Sequence, residues 1–372
     1  LLIERVVLAC SDEGENRRCL FIAGNGGGAM RHLLNTLFVT SEDIYLSLDG
    51  ENVVANREKN VVARYPLHTL SAIISFSYPG ASPALMGACA QRGISLSFCT
   101  PRGKFLARVT GEANGNVLLR RTQYRVADNA AQSCFIARTM VFGKVHNARW
   151  SIERTRRDHG LRVDTRRLGD VSEQLKTLMP QLLRQTDLDT LRGLEGAGAT
   201  AYFSVFDQLI LGDRGVFHFE TRNRRPPVDP VNALLSFAYS LLSHDCAWAL
   251  ESVGLDSYVG FLHRDRPGRS SLALDLMEEF RPCVADRFVL TCINNRIFQK
   301  SDFDYRENGG VFLNEKGRRV FLQRWQERKK DVLTHPFLGE KVPWGLVPYL
   351  QALLLTRHLR GDLDVYPPSV WK

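Results

Sequence analysis

The hydrophobic pattern of the chain changes its period once, close to Leu118, and that change restricts the fold more than any other feature. From Leu33 onward the sequence runs through short β-branched segments separated by turns: L-N-T-L-F-V-T, I-Y-L-S-L, N-V-V-A, N-V-V-A-R-Y-P, A-I-I-S-F-S-Y, G-I-S-L-S-F-C and K-F-L-A-R-V-T. Such segments read as strands, and Asp49-Gly50 between two of them signals a hairpin. One helix interrupts them at Ser82 to Arg92, with Ser82 as N-cap, Pro83 at the first helical position and Gly93 as the stop. Past Leu118 the period becomes helical, through Ala130 to Asp158, Val171 to Gln185, Asp187 to Asp207 and Asp229 to Val253. A last helix is expected over Pro343 to Leu359, followed by a Pro-containing tail from Tyr366 to Lys372. The expected fold class is α+β: a small amino-terminal β-rich domain, residues 30–120, followed by a larger, mostly α-helical domain, residues 121–372. The boundary falls near residues 116–125.

Residues 1–29 stand apart. They end in the Gly-rich stretch Ala23 to Ala29, which reads as a flexible joint, and they lack the basic, apolar and small-residue pattern of a signal peptide. They are read as an extension, or as the remnant of a fusion or linker. No apolar run reaches the ~20 residues that cross a bilayer. The longest, Leu346 to Leu355, is broken by Pro348 and Gln351, so no membrane association is expected. The eight cysteines sit mostly alone in apolar runs without C-x-x-C spacing, as reduced core residues of a cytoplasmic protein do. A formal charge of +9, from 49 Lys and Arg against 40 Asp and Glu, favours a polyanionic partner.

The segment from Val259 to Pro282, V-G-F-L-H-R-D-R-P-G-R-S-S-L-A-L-D-L-M-E-E-F-R-P, concentrates the chemistry. Ser270 or Ser271 is expected to cap a helix whose Leu272, Leu276 and Phe280 form a core face. Asp275 and Glu278, three apart, share its flank, and His263 lies in the loop just before it. Carboxylates with an imidazole suit a divalent cation, and neighbouring arginines suit phosphates. Glu195, in L-R-G-L-E-G-A-G-A-T-A-Y-F, offers a further carboxylate in an apolar helix, where it needs a partner. Gly193, Gly196 and Gly198 each cost that helix up to ~1 kcal/mol against Ala, which implies close approach of another backbone or a ligand. Arg222, Arg224 and Arg225, and Arg264, Arg266 and Arg269, are the clusters placed to hold phosphates. Tyr202 and Tyr258 are candidate supports or stacking surfaces. His244-Asp245 reads as a polar anchor in an apolar helix. A G-x-S-x-G elbow, a Walker loop and H-E-x-x-H are all absent.

Three ordered motifs carry a family resemblance: R-G-L-E-G-x-x-x-x-x-Y-F around Glu195, N-R-R-P-P-V-D-P-V-N-A-L-L-S-F-A-Y from Asn223, and the His263 segment. Together with M-R-H-L-L-N-T-L-F-V-T and G-A-S-P-A-L-M-G-A-C-A-Q-R-G-I-S-L-S-F, they resemble the CRISPR-associated spacer-acquisition integrases, the Cas-one family, in the style of subtype I-C. The resemblance spans Met30 to Lys372.

It implies a metal-dependent DNA integrase and endonuclease of CRISPR adaptation. In that reaction the 3′-hydroxyl of captured DNA attacks a phosphodiester of the repeat by transesterification. The implied ligands and catalytic residues are Glu195, His263 and Glu278, with Asp275 as the alternative acidic ligand, holding Mg²⁺ or Mn²⁺. The implied partners are double-stranded and branched DNA, a second copy of the chain paired through the β domains, a Cas-two dimer, and the adaptation nuclease Cas-four, downstream of which some relatives are fused. The alternative is a catalytically silent DNA-binding scaffold of the same assembly. A metallohydrolase of small phosphate esters is a third class, distinguished by little affinity for DNA and no steep salt dependence.

Overall fold

The structure, a computed structural model, describes residues 36–371 apart from 40, 59, 71, 101–104, 110, 112–116, 224 and 225. The expected extension over residues 1–29, with Cys10, Cys19 and the Gly-rich stretch, lies outside the described residues.

Every strand segment expected from the sequence contributes a strand: β1 (Thr36–Val39), β2 (Tyr45–Asp49), β3 (Asn52–Arg57), β4 (Asn60–Pro66), β5 (Ala72–Ser75), β6 (Ser95–Cys99) and β7 (Phe105–Val109). β2, β3 and β4 form an antiparallel meander. Its first turn carries Gly50 at φ 57°, the left-handed conformation that glycine enters without a steric cost. The other sheet has the order β1-β5-β6-β7, with β1, β5 and β6 parallel and β7 antiparallel. Parallel neighbours need a crossover. Helix α1 (Pro83–Arg92) supplies the one between β5 and β6, with the Ser82 hydroxyl accepting from Leu85 N and Gly93 at φ 64° ending it, as the sequence predicts.

Adjacent residues of β5 face opposite sides of this sheet and enter different cores. Ile73 joins Leu46, Val53, Leu67, Leu85 and Leu96 in the smaller cluster. Ile74, with Phe76 and Cys99, joins the cluster that fills the helical region. One sheet face therefore closes the β-rich region, and the other is a wall of the helical core. His244 completes this seam, its Nε2 3.8 Å from the Cys99 thiol, while Asp245 takes Lys329 Nζ at 2.8 Å. The pair is the polar anchor expected.

The helical region is built on α2 (Val117–Asp128), α3 (Ala130–Asp158), α4 (Thr165–Leu183), α5 (Leu188–Ser204), α6 (Pro230–Ser252), α7 (Ser271–Glu278), α8 (Arg287–Asn294), α9 (Glu315–Lys330) and α10 (Val347–Leu359). Asn129, Asp164, Asp187 and Asp229 cap α3 to α6 by accepting backbone N–H groups of their first turns. α4 begins six residues before the expected Val171, because its first turn is a capped polar surface with no apolar residue until buried Leu168. α5 ends at Ser204, and the chain continues as a 3₁₀ turn over Phe206–Leu209. The last helix begins at Val347, since Pro348 is tolerated only in a first turn; Lys341–Pro343 instead pairs as a strand with Val332–Thr334.

The tail from Tyr366 is folded against α7. Glu279, fully buried, accepts from Tyr366 Oη at 2.6 Å, Ser369 N at 2.6 Å and Gln351 Nε2 at 3.1 Å. Asn147 of α3 donates to Glu279 O and Ser369 O and accepts from Trp371 N, tying α3 to the end of α7 and to the tail. Among the described residues no helix is long and apolar enough to cross a membrane, and the six described cysteines are free and buried.

Candidate metal centre

α3, α5, α7 and the loop before α7 surround a cavity of about 210 Å³ lined by Lys144, Glu195, Tyr202, Arg222, Tyr239, His263, Glu278, Arg281 and Asp286, among others. Glu195, His263 and Glu278, 68 and 15 residues apart in sequence, thus face one space.

The loop carrying His263 is fixed from below. Asp275 is fully buried in α7, and all of its acceptor capacity is committed. Oδ2 accepts from Phe261 N at 2.6 Å and Leu262 N at 2.9 Å; Oδ1 accepts from His263 N at 3.0 Å and takes His263 Nδ1 at 2.5 Å. The glycine of V-G-F-L-H makes this approach possible, because a Cβ at Gly260 would stand 2.8 Å from Asp275 Oδ2 and 2.8 Å from Ser271 Cβ. With Nδ1–H given to Asp275, the tautomer assigned by that bond leaves the Nε2 lone pair free. Asp275 therefore stands behind the imidazole rather than beside Glu278 as a further oxygen donor. The expectation that Asp275 and Glu278 approach one point is corrected: Asp275 is taken up by the His263 loop, while Glu278 lines the cavity. Ser270 makes no side-chain cap bond, and Ser271 Oγ donates instead to Arg264 O at 3.3 Å, so the expected cap is also absent. Leu272, Leu276 and Phe280 are fully buried, as their spacing predicts.

Glu278 ends α7, where the chain passes into a π-helical turn over Arg281–Asp286. That turn brings Arg281 Nη2 to 3.2 Å from Glu278 Oε1, and Lys144 Nζ lies 2.7 Å from Oε2. Burial works against the charge on Glu278, but Arg281 and Lys144 outweigh it and hold the carboxyl down at about 2. Lys144 Nζ also bonds Glu195, the partner that a carboxylate in this apolar helix required. Of the three glycines around Glu195, only Gly198 reflects close packing, a Cβ there falling 3.2 Å from Val145 of α3; Gly193 and Gly196 meet nothing.

The cavity floor was not legible beforehand. Tyr239 donates to Asp286 Oδ1 at 2.5 Å, and the Arg281 and Arg222 guanidiniums lie 4.9 Å and 5.3 Å from the Tyr239 ring centroid. Burial pushes the Asp286 carboxyl up to about 6, against the pull of Tyr239 and Arg281. Tyr202 is buried beside this group, whereas Tyr258 is 41% exposed and does not line the cavity, so only the first of the two expected tyrosines is at the site. Arg222 is turned inward onto Asn232 and Ser236. Arg224 and Arg225 lie outside the described residues. Arg264 and Arg266 are exposed beyond the His263 loop, Arg264 paired with Asp189 at 2.8 Å, and Arg269 is partly buried. Arg192 of α5, also unforeseen, donates twice to Leu262 O and ties the loop to the Glu195 helix.

Two carboxylates that reach one ammonium, and an imidazole with a free Nε2, are the donor chemistry of a hard divalent cation, so the residues present fit such an ion. As they are arranged, no three His, Cys, Asp or Glu among the described residues stand close enough to share one. Lys144 instead joins the two glutamates.

The sequence matches the family described as "CRISPR associated protein Cas1" over residues 37–327, well over half of the chain. It is 50% identical over 348 residues to the "CRISPR-associated endonuclease Cas1 2" of Rhodospirillum rubrum, covering 92% of this chain and 100% of the relative. It is 47% identical over 343 residues to the "CRISPR-associated endonuclease Cas1 1" of Chlorobaculum tepidum, with the same coverage of 92% and 100%. Its fold is similar to that of a casposase solved bound to integration product, with a TM-score of 0.77 at 21% identity over 91% of this chain and 95% of the other. The matched span includes α3, α5, α7 and the loop before α7 that build the cavity, and the chain belongs to the CRISPR-associated Cas1 family.

Proposed function

We propose that this chain is the integrase and endonuclease of CRISPR adaptation, joining 3′-hydroxyl ends of captured DNA to the repeat by transesterification. The observation that carries the reading is the convergence of Glu195, His263 and Glu278 on one cavity in a member of this family. Glu195, Glu278 and His263 Nε2 would hold the Mg²⁺ or Mn²⁺. Such an ion polarises the target phosphoryl and stabilises charge on the attacking or leaving oxygen.

The chain's own residues supply the rest. Asp275 orients His263 and presents its Nε2, acting as a positioning residue rather than a ligand. Arg281 keeps Glu278 ionised in a buried place, and Arg192 holds the loop against α5. Arg264 and Arg266, exposed next to the cavity, suit phosphates on either side of the reacting bond, and partly buried Arg269 lies in the same loop. The β-rich region, residues 30–120, serves pairing with a second copy, and the helical region, residues 121–372, carries catalysis. Assembly with a Cas-two dimer, and in some settings with Cas-four, is part of this reading, supported by a relative fused to Cas4 and a structural neighbour solved in complex with Cas2. A cytoplasmic setting suits six buried free thiols.

The test is strand transfer into a repeat-bearing plasmid with Mn²⁺ or Mg²⁺. Glu195→Ala and His263→Ala are expected to abolish it while melting as cooperatively as the parent. Full integration by Glu195→Ala overturns the reading, and metal-independent DNA binding without cleavage or joining by the unsubstituted protein favours a scaffold instead.

A further inference from the structure

Lys144 stands on α3 in a turn that is mostly buried, its side chain 13% exposed, and its ammonium is shared by Glu195 of α5 and Glu278 of α7. Nothing in its local sequence, V-F-G-K-V-H-N, calls for a lysine. Gly143 is needed for packing, a Cβ there meeting Glu279 Cγ and Pro368 Cβ at 3.2 Å, and Asn147 is needed to hold the tail. Lys144 lies between these two anchors, so its backbone is fixed and any change of partner falls to its four-carbon stem. Two carboxylates this close and this shielded repel strongly unless a cation sits between them. Lys144 supplies one, yet the same two glutamates are the acidic ligands of the metal site proposed above.

We infer that Lys144 is a built-in counter-cation of the metal centre: it holds Glu195 and Glu278 together before the divalent ion binds, and it gives way when the ion arrives. This inference rests on the reading of Glu195, His263 and Glu278 as the metal site. Lys144 is a positioning residue on this account, and its exchange with the ion makes metal binding competitive. A ligand that must displace a bound group binds with an affinity reduced by the fraction of competent protein. A bridge populated in more than about nine-tenths of molecules therefore weakens apparent Mn²⁺ binding about ten-fold or more.

The experiment is Mn²⁺ titration of the DNA-free full chain, read by electron paramagnetic resonance of the free ion, for the parent, Lys144→Met, Lys144→Gln and Glu195→Gln. Both Lys144 variants are expected to bind Mn²⁺ about ten-fold or more tightly than the parent. They are also expected to melt lower than the parent in chelator and to recover with Mn²⁺. If either is unfolded without metal and folds on adding Mn²⁺, the inference stands. Affinity equal to or weaker than the parent's in the folded variants overturns it, as does a variant that stays unfolded with metal while acetylation of Lys144 in the parent is unchanged by Mn²⁺. Glu195→Gln separates the two claims. Parent-like Mn²⁺ binding by Glu195→Gln defeats the metal-site reading itself, whereas loss of binding there with no gain in Lys144→Met defeats only the role of Lys144.

Discussion

The β-rich and helical regions solve burial differently. Among the described residues, the buried polar side chains of the β-rich region are serines, Ser75, Ser77 and Ser97, small groups of which Ser75 accepts from Ser77 N and Ser77 donates to Ile44 O. Those of the helical region include Asp275, Glu278, Glu279, Asp286, His335 and Gln351. An enclosed carboxylate costs several kcal/mol unless paired, so a fold keeps such groups only with dedicated partners. Here the partners are a loop of backbone N–H groups for Asp275, three donors for Glu279, and two cations for Glu278. The contrast teaches where chemistry resides: the strands supply a rigid wall, and the helices hold charge in place at an energetic cost.

Substitutions can break this contrast. The largest effect is expected at Glu195: Glu195→Gln, nearly isosteric, is expected to lower strand transfer by more than about 100-fold with little change in melting temperature. A parent-like rate in a plasmid integration assay contradicts the division of labour. Asp275→Ala orphans three backbone N–H groups and frees His263, so it should destabilise by about 3–5 kcal/mol in urea titration and lower activity as well. Leu96→Ala, in the smaller core of the β-rich region, is expected to cost about 2–5 kcal/mol while leaving the Mn²⁺ affinity of the folded protein unchanged. Coupled loss of Mn²⁺ affinity there would show that the wall is part of the site.

A smaller effect distinguishes the regions by pH. Burial lowers His244 and His335 to about 4, so both are neutral in the fold and titrate near 6.5 when unfolded. Between those values the unfolded chain binds more protons, and stability falls as the pH falls. By pH 5 each histidine should remove about 2 kcal/mol relative to pH 7, and urea midpoints of His335→Asn against the parent at the two pH values measure it. The smallest effect on stability is expected at exposed Arg264, where Arg264→Ala should stay within about 0.5 kcal/mol of the parent. It should still lower the salt dependence of DNA binding by about one unit of slope.

Much of the frame was open to inspection in one dimension. Ser82 announced its helix because a short oxygen-bearing side chain before Pro83 and an apolar period has few other uses. α4 announced itself late, since a capped polar first turn carries no apolar period. Glu195 stood out because a carboxylate conflicts with its apolar setting, and His263 and Glu278 because a loop imidazole precedes a helix flank of carboxylates. Lys144 offered the same signal, a lone cation inside the apolar run of α3, but its two partners lie 51 and 134 residues away and no local spacing points to them. Asp275 gave the opposite error. Its spacing from Glu278 suggested a shared function, whereas the loop folded over Gly260 turned it to His263.

What the sequence determined alone was therefore the amino-terminal strands, the Ser82 cap and most of the longer helices, the change from strand to helix near Leu118, and the residue types able to hold a cation. These depend on contacts within a few positions. Only the tertiary structure decided which carboxylate faces the cavity, which supports the histidine, and which cation waits between the glutamates. Those outcomes depend on groups far apart in the chain meeting where water is excluded, and there charge pairing, rather than spacing, sets each role.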